Sequence, residues 1–278
     1  MAEGGELGAS CGVSCLFQDR EHNVWVGSEA GLARLTPRHF MTYTTQEGLT
    51  QDKIASVCAG QDGSVWIAVW GGGVNRFVEG HFAAVGTSKG RESDFVLTLD
   101  EARDGSLWVG ADYGYGLTHI QGGQITHYGR AEGLTDPALT ALLEDGAGNL
   151  WVGSRGALYC LRGGKFNRYT MRQGLSNDKI NALCAGRGGI VWAGTEDGLT
   201  QWTNGQFIVV GATEPCLRRI ILSLYEDPEG TLWVGTRGAG VVRFRAGKPD
   251  NFTSRDGLFS DSIYAILEER NGPHNSDQ

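Results

Sequence analysis

The sequence predicts an all-β fold, a β-propeller of six four-stranded antiparallel blades. Six tryptophans recur at intervals of 41, 42, 43, 41 and 41 residues: Trp25, Trp66, Trp108, Trp151, Trp192 and Trp233. Each interval contains four short stretches rich in valine, leucine and aromatic residues, which are typical of β-strands. The chain has 44 glycines and only 6 prolines, a balance that indicates many tight turns. Four strands in about 40 residues is the period of a propeller blade.

The residues around each tryptophan repeat as well. Apolar residues stand twelve positions upstream: Val13, Ile54, Val96, Leu139, Ile180 and Ile221. Glycine stands two positions downstream in every repeat except the second, which has Ala68. A single blade cannot bury both of its faces, so we expect the tryptophans to pack between stacked blades rather than to contact a ligand.

Each repeat divides into strands A to D. Strand A is predicted at 138–144, strand B at the Leu-Trp-Val-Gly segment, strand C at 31–35 and 198–202, and strand D at 40–43 and 166–169. We expect a lead-in over 1–12, a single propeller domain over 13–270 with six repeats and one extra strand, and a tail over 271–278. Ile263 and Ile266 match strand A of a further repeat. This leaves two alternatives, a closed six-bladed ring with a spare strand or part of a seven-bladed parent.

Composition excludes several classes of protein. The net charge is −8 and no basic stripe is present, so no nucleic-acid partner is expected. The sequence contains no run of 18 apolar residues, so no membrane helix is predicted. The N-terminus lacks the pattern of a secretory signal. The six cysteines form no Cys-x-x-Cys pair, and Cys58 and Cys184 hold equivalent positions. We interpret them as small apolar residues, with no metal site and no cofactor.

These repeats resemble the two-component regulator propeller family. The similarity rests on a strand ending in an acidic turn (Glu144-Asp145), the Trp151-Val152-Gly153 segment and the Glu132-Gly133-Leu134 motif, and it covers roughly residues 6–272. The resemblance implies an extracytoplasmic or periplasmic sensor domain of a bacterial histidine kinase, hybrid kinase or diguanylate cyclase. It also implies an output domain in a longer parent chain and a small-molecule or oligosaccharide ligand, with glycans as the implied class.

The B–C loops differ strongly between blades, whereas the A–B turns are nearly uniform. A rigid scaffold places recognition in loops that vary on a constant frame. Aromatic rings beside charged groups suit a polar, ring-shaped ligand such as a sugar. The candidate binding residues are therefore those of the B–C loops: Glu29, Trp70, Asp112, Tyr113, Tyr115, Arg155, Glu196, Asp197 and Arg237. In the variable D–A loops, Arg91, Arg218 and Arg219 are secondary candidates, with tolerated surface variation as the simpler interpretation.

The sequence does not favour catalysis. Its six histidines are scattered, and no His-x-His, His-Glu-x-x-His or Gly-x-Ser-x-Gly motif occurs. Asp112 and Glu196 are the one acid pair considered for glycoside chemistry, but they belong to non-adjacent blades. The predicted function is therefore non-catalytic ligand sensing. The alternatives are a protein-interaction scaffold and, with less support, a glycoside-active enzyme or a propeller lyase of the streptogramin-inactivating type.

Overall fold

The computed structural model describes residues 12–19, 23–36, 39–86, 95–136 and 138–268. Most of the expected lead-in, the expected tail and Arg91 lie outside these described residues. Within them, no helix is both long enough and apolar enough to span a bilayer.

The described residues form twenty-four strands, four in each of six antiparallel sheets. The first three blades contain β1 (Val13–Gln18), β2 (Val24–Ser28), β3 (Gly31–Thr36) and β4 (His39–Tyr43); β5 (Ile54–Ala59), β6 (Val65–Val69), β7 (Gly73–Val78) and β8 (His81–Val85); and β9 (Val96–Glu101), β10 (Leu107–Ala111), β11 (Leu117–Gln121) and β12 (Gln124–Tyr128).

The last three blades contain β13 (Leu139–Glu144), β14 (Leu150–Ser154), β15 (Leu158–Arg162) and β16 (Lys165–Tyr169); β17 (Ile180–Ala185), β18 (Val191–Thr195), β19 (Gly198–Thr203) and β20 (Gln206–Val210); and β21 (Ile221–Glu226), β22 (Leu232–Thr236), β23 (Val241–Arg245) and β24 (Lys248–Phe252).

The blades are arranged in a ring, so the chain is a six-bladed β-propeller, as the sequence predicts. In every blade the strands pair in chain order, A to D. The A strands pack side by side from one blade to the next, β1 on β5, β5 on β9, β9 on β13, β13 on β17 and β17 on β21. The predicted strand limits agree with the observed ones to within one residue.

The glycine two residues after each blade tryptophan is required by the packing of the next blade. A Cβ built on Gly153 would lie 2.8 Å from Cγ2 of Ile180, and one on Gly194 would lie 2.5 Å from Cγ2 of Ile221. The strand A residue of the next blade therefore occupies the space that a side chain would need. In blade two the position is Ala68, and the neighbouring strand A residue is the smaller Val96, which is fully buried beside it.

The blade tryptophans are packing residues, as expected, although not to the same degree. Trp25, Trp108, Trp151 and Trp192 are buried, whereas Trp66 and Trp233 are partly exposed. Arg76 covers the Trp66 ring, with its guanidinium carbon 5.0 Å from the ring centre. An arginine side chain thus replaces some of the apolar packing that the other rings receive.

The Glu-Gly-Leu motif of the D–A loops has a structural role. The Thr44 N–H donates a 2.7 Å hydrogen bond to the Glu47 carboxylate, which closes a capping box on a short 3-10 turn (Thr45–Glu47). Gly48 follows with φ 111°, a conformation that favours glycine, and Leu49 is buried against the next blade. The same arrangement recurs at Thr170–Gln173 and Thr253–Asp256.

The seam between blade six and blade one is the loosest part of the ring. β21 and β1 do not pack as the other neighbouring A strands do. Val13 is 37% exposed, whereas its five equivalents are at most 1% exposed. The space over Gly235 is shared by Oγ of Ser223 and by Ile263, whose N–H donates to the Thr236 carbonyl. Residues 262–268 thus lie against blade six where a following strand A would lie, joined by an isolated bridge between Arg237 and Ser262 rather than by a regular strand.

The described cysteines are free thiols, Cys15, Cys58, Cys160, Cys184 and Cys216. Burial raises the pKa of the Cys15 thiol to about 12 and that of the Cys184 thiol to about 11. A thiol with so high a pKa is protonated at neutral pH and is a poor nucleophile. These cysteines therefore serve as small packing residues.

Candidate functional site

Six of the predicted site residues occupy one structural position, the first residue after strand B. We call this set the B–C rim: Glu29, Trp70, Asp112, Arg155, Glu196 and Arg237. In blades two to six the backbone N–H of this residue donates to the carbonyl just before strand A of the same blade. These bonds are Trp70 to Lys53, 2.8 Å; Asp112 to Phe95, 2.9 Å; Arg155 to Ala138, 3.3 Å; Glu196 to Lys179, 3.1 Å; and Arg237 to Ile220, 2.9 Å.

The shared bond places the rim residues of all these blades at the same end of the propeller. Glu29 lies at this end too, because its carboxylate reaches the Lys53 ammonium at 3.2 Å. The structure therefore brings the B–C loops together on one face, the arrangement that recognition by variable loops requires.

An aromatic cluster occupies the rim between blades two and three. Trp70, Phe95 and Tyr113 contact one another, with ring centres 5.4 Å apart for Trp70 and Phe95, 5.1 Å for Phe95 and Tyr113, and 6.0 Å for Trp70 and Tyr113. Tyr113 is 63% exposed, so its ring is available to a ligand. The cluster provides an apolar surface of the kind on which a sugar ring can lie.

Tyr113 is held in an unusual backbone conformation. Its φ is +57°, a region that side chains other than glycine and asparagine seldom adopt. The buried Asp112 supports it, because the Asp112 carboxylate accepts a 2.8 Å hydrogen bond from the Tyr113 N–H. Such local strain often accompanies a functional position. Tyr115 is 39% exposed but makes no ring contact with this cluster among the described residues.

Charged residues extend the site on both sides of the aromatic cluster. On one side the Lys53 ammonium lies 5.5 Å from the centre of the Trp70 ring and pairs with Glu29. On the other side Arg155, Glu196 and Arg237 follow one another around the rim, and none of them makes an ion pair within the described part of the chain. At the rim positions from blade four to blade one, the charges of Arg155, Glu196, Arg237 and Glu29 alternate in sign.

Two clefts adjoin this face at the D–A loop of blade five. One, of about 480 Å³, is lined by Ala212, Thr213, Pro215, Arg218 and Arg219. The other, of about 280 Å³, brings Arg218 close to the candidate residue Asp197. The structure thus places Arg218 next to Asp197 in the B–C loop of blade five, and Arg219 in the adjoining cleft. Their loop is anchored by Leu217, which is completely buried.

Sequence reasoning missed Lys53 and Phe95, which complete the aromatic and charged part of the site. Both stand thirteen residues before a blade tryptophan, as do Gly12, Ala138, Lys179 and Ile220 in the other repeats. This position varies as much as the B–C loops do, and comparing the repeats at that offset reveals it. Within the described residues, no group of three His, Cys, Asp or Glu side chains is arranged to hold a metal ion.

Comparison with known proteins agrees with the repeat pattern. Residues 8–30, 133–156 and 218–238 match the family model described as the two component regulator propeller. Three segments of the chain are therefore similar to repeats of that family, and the resemblance stated from the sequence is confirmed. No curated protein matches the sequence.

Solved structures share the fold. The extracellular domain of a hybrid two component system from B. thetaiotaomicron superposes with a TM-score of 0.79 at 19% identity over 92% of this chain. That of a one component system from the same organism gives 0.79 at 23% identity over 96%. This chain spans 37% of the length of each. Virginiamycin B lyase from Staphylococcus aureus matches with a TM-score of 0.71 at 13% identity, over 87% of this chain and 84% of the lyase.

Proposed function

We propose that this propeller is the ligand-binding input domain of a two-component sensor, located outside the cytoplasm and joined to an output kinase domain in a longer parent chain. Its ligand binds the B–C face, and oligosaccharides are the class that suits this face best. The domain performs no chemistry of its own. The repeats of the two component regulator propeller family and the similarity to extracellular domains of such systems support this assignment.

The observation that carries the proposal is the continuous set of contacts from Glu29 through Lys53 and Trp70 to Phe95 and Tyr113. It joins three blades at one end of the ring and combines exposed aromatic surface with charged hydrogen-bonding groups. An aromatic ring flanked by polar groups can stack against the apolar face of a sugar while its hydroxyls are hydrogen-bonded. A scaffold that binds proteins through an apolar patch needs a contiguous exposed apolar surface, whereas the aromatic cluster of this face is flanked by the charged Glu29 and Lys53.

A lyase function has less support in the chemistry of the site. The fold is shared with virginiamycin B lyase, but at 13% identity the similarity extends to the fold alone. The rim carries carboxylates, guanidinium groups and aromatic rings, and no histidine stands at any rim position. General acid–base catalysis near neutral pH most often uses a histidine or a carboxyl of raised pKa. The B–C rim lacks the histidine that would most often serve as such a base.

The test is calorimetric titration of the purified chain with a panel of soluble oligosaccharides that includes cellobiose, maltose and xylobiose. We expect binding of at least one member, and we expect Trp70→Ala, Tyr113→Ala and Arg155→Ala each to weaken it about fivefold or more, the equivalent of roughly 1 kcal/mol per lost contact. Ile208→Ala, on the exposed outer strand β20, is the matched control and should bind like the parent. Unchanged affinity in all three of these variants would exclude the B–C face as the binding site.

A further inference from the structure

The indole N–H groups of the blade tryptophans follow a rule with one exception. In five blades this N–H donates to a carboxylate. The pairs are Trp25 with Asp19 (2.7 Å), Trp66 with Glu101 (2.5 Å), Trp151 with Asp145 (2.8 Å), Trp192 with Glu226 (2.7 Å) and Trp233 with Asp227 (2.9 Å). A largely buried N–H donor without a partner is costly, which explains this regular pairing.

The carboxylate comes from one of two places. In blades one, four and six it stands six residues before the tryptophan, as Asp145 does for Trp151. In blades two and five that position is glycine, and a glutamate of the following blade reaches the indole instead, as Glu226 does for Trp192. Either arrangement satisfies the donor.

Trp108 of blade three has neither arrangement. The residue six positions before it is Ala102. The equivalent glutamate of the next blade, Glu144, accepts from the backbone N–H of Arg103 at 2.8 Å, as Glu101 and Glu226 accept from the equivalent N–H groups, but it makes no bond to the indole. Among the described residues the indole N–H of Trp108 therefore has no hydrogen-bond partner, although the side chain is only 9% exposed. It is the one blade tryptophan in this state.

A cleft lies beside the position where blade three lacks the carboxylate. It is located between blades three and four, at the end of the propeller opposite the B–C rim. The cleft has a volume of about 390 Å³, within the range of about 300–1,000 Å³ typical of small-molecule sites. Its lining includes Arg103, Asp104, Trp108, His119, Glu144 and Gly164. Ala102 lines it too, so the position that holds the carboxylate in blades one, four and six opens into the cleft.

The polar groups of the cleft define what it can hold. His119 stacks on the Trp108 ring with centres 4.0 Å apart, and burial lowers the pKa of its imidazole, which is therefore neutral at pH 7. Hydrogen bonds from Ser106 lower the pKa of Asp104, which keeps that carboxylate charged. Oε1 of Glu144 makes no hydrogen bond within the described residues. The carboxylates of Asp104 and Glu144 outnumber the single guanidinium of Arg103 in the lining, and this excess of negative charge opposes the entry of an anion.

We propose that this cleft is a second binding site, for a neutral ligand of about monosaccharide size that carries hydroxyl groups. A hydroxyl can accept from the Trp108 indole and donate to Glu144, because its oxygen is both donor and acceptor. It replaces the carboxylate that blade three lacks without adding a negative charge. The site is distinct from the B–C face and does not depend on it.

The experiment is a titration of the ¹⁵N-labelled chain with D-glucose, D-galactose and N-acetyl-D-glucosamine, read from the indole N–H signals, with D-glucuronate as the anionic counterpart of glucose. Trp108→Phe identifies the Trp108 signal and removes the donor. We expect at least one neutral sugar to move the Trp108 signal while that of Trp151, the paired equivalent in blade four, stays in place. We expect D-glucuronate to bind at least about fivefold more weakly, a difference of roughly 1 kcal/mol.

Ala102→Asp is the decisive variant, because it supplies the carboxylate that blades one, four and six already have. It should fold, pair with the indole and abolish the response to sugar, whereas Ala84→Asp, on the exposed outer strand β8, should respond like the parent. If Ala102→Asp does not fold, His119→Gln, which copies the residue paired with the blade five tryptophan, should weaken binding at least about fivefold.

Three results would overturn the proposal: no neutral sugar moves the Trp108 signal, D-glucuronate binds as well as D-glucose, or a folded Ala102→Asp retains the response. A shift confined to Trp70 would also overturn it, while supporting the B–C face.

Discussion

The ammonium of Lys53 lies 5.5 Å from the centre of the Trp70 ring, and both residues belong to blade two. Lys53 precedes strand A and Trp70 follows strand B, and a backbone hydrogen bond of 2.8 Å joins them. The same ammonium pairs with Glu29 of blade one. This single side chain therefore connects the charged and aromatic parts of the candidate face across a blade boundary.

Lys53→Met should weaken oligosaccharide binding while changing the stability of the fold very little. The Lys53 and Glu29 side chains are 50% and 65% exposed, so water screens their attraction and the change in unfolding free energy should stay below about 1 kcal/mol. Methionine keeps most of the stem over the Trp70 ring but removes the charge, so affinity for the oligosaccharide identified by the panel should fall. Urea unfolding and calorimetry measure the two effects. A loss of several kcal/mol in stability would show that Lys53 is a structural residue.

Trp151→Ala should be far more damaging than Trp70→Ala. Trp151 is completely buried, packs against Trp202 and Tyr169, and donates to Asp145, so its removal leaves a cavity and takes away one of the hydrogen bonds that the Asp145 carboxylate accepts. We expect a loss of about 3–5 kcal/mol in unfolding free energy for Trp151→Ala. Trp70 is only partly buried and should cost clearly less. Equal costs in urea unfolding would contradict the division between packing and binding tryptophans.

Gly153→Ala should destabilise the contact between blades four and five by about 1–3 kcal/mol, because the new methyl group would collide with Ile180. The nearest obstacle is Cγ2 of Ile180, which Ile180→Ala removes, so Gly153→Ala should cost less in an Ile180→Ala background. A double-mutant cycle measures this coupling from four unfolding experiments. Strictly additive effects would mean that the glycine is needed for another reason.

Asp100 should make stability depend on pH. Burial is the main cause that raises its pKa to about 6, and the neighbouring carboxylates of Glu144 and Glu101 act in the same direction. The folded state then binds the proton more tightly than the unfolded state, so stability falls as pH rises from about 4 to 6 and remains lower above that range.

Asp100→Asn removes this titration and keeps an oxygen that can accept the Glu144 N–H. The variant should be more stable than the parent by about 1–3 kcal/mol at pH 7, and the difference should shrink towards pH 4. Unfolding the two proteins in urea at a series of pH values tests this. A difference that does not change with pH would show that Asp100 is not protonated in the fold at low pH.

The repeat pattern predicted most of the fold because the same packing of one blade against the next applies to every repeat. The repeated tryptophan, glycine and strand A residue of each blade pack against the next blade. Their roles can therefore be identified from the spacing of the repeats alone. The 3-10 turns of the D–A loops, such as the one at Thr45–Glu47, were not predicted from the Glu-Gly-Leu motif. Their role depends on a hydrogen bond to Thr44 that the sequence pattern does not show.

The candidate site was predicted less completely. The common end of the B–C loops follows from the blade topology, and the proximity of Trp70 and Tyr113 follows from adjacent blades. Phe95 was missed because it precedes strand A, where only the buried residues had been compared. The exception at Trp108 could not be predicted from the sequence, because Glu144 stands at the expected position and accepts the expected backbone N–H, and only the structure shows that it makes no bond to the indole.

The most direct test of the recognition surface is a crystal structure of the chain with the oligosaccharide of the panel that binds most tightly. We predict sugar density in contact with Trp70, Phe95 and Tyr113, with hydroxyl groups within hydrogen-bonding distance of Lys53 or the charged rim residues. Density confined to the outer strands, or to the opposite end of the propeller with the B–C face unoccupied, would contradict the account.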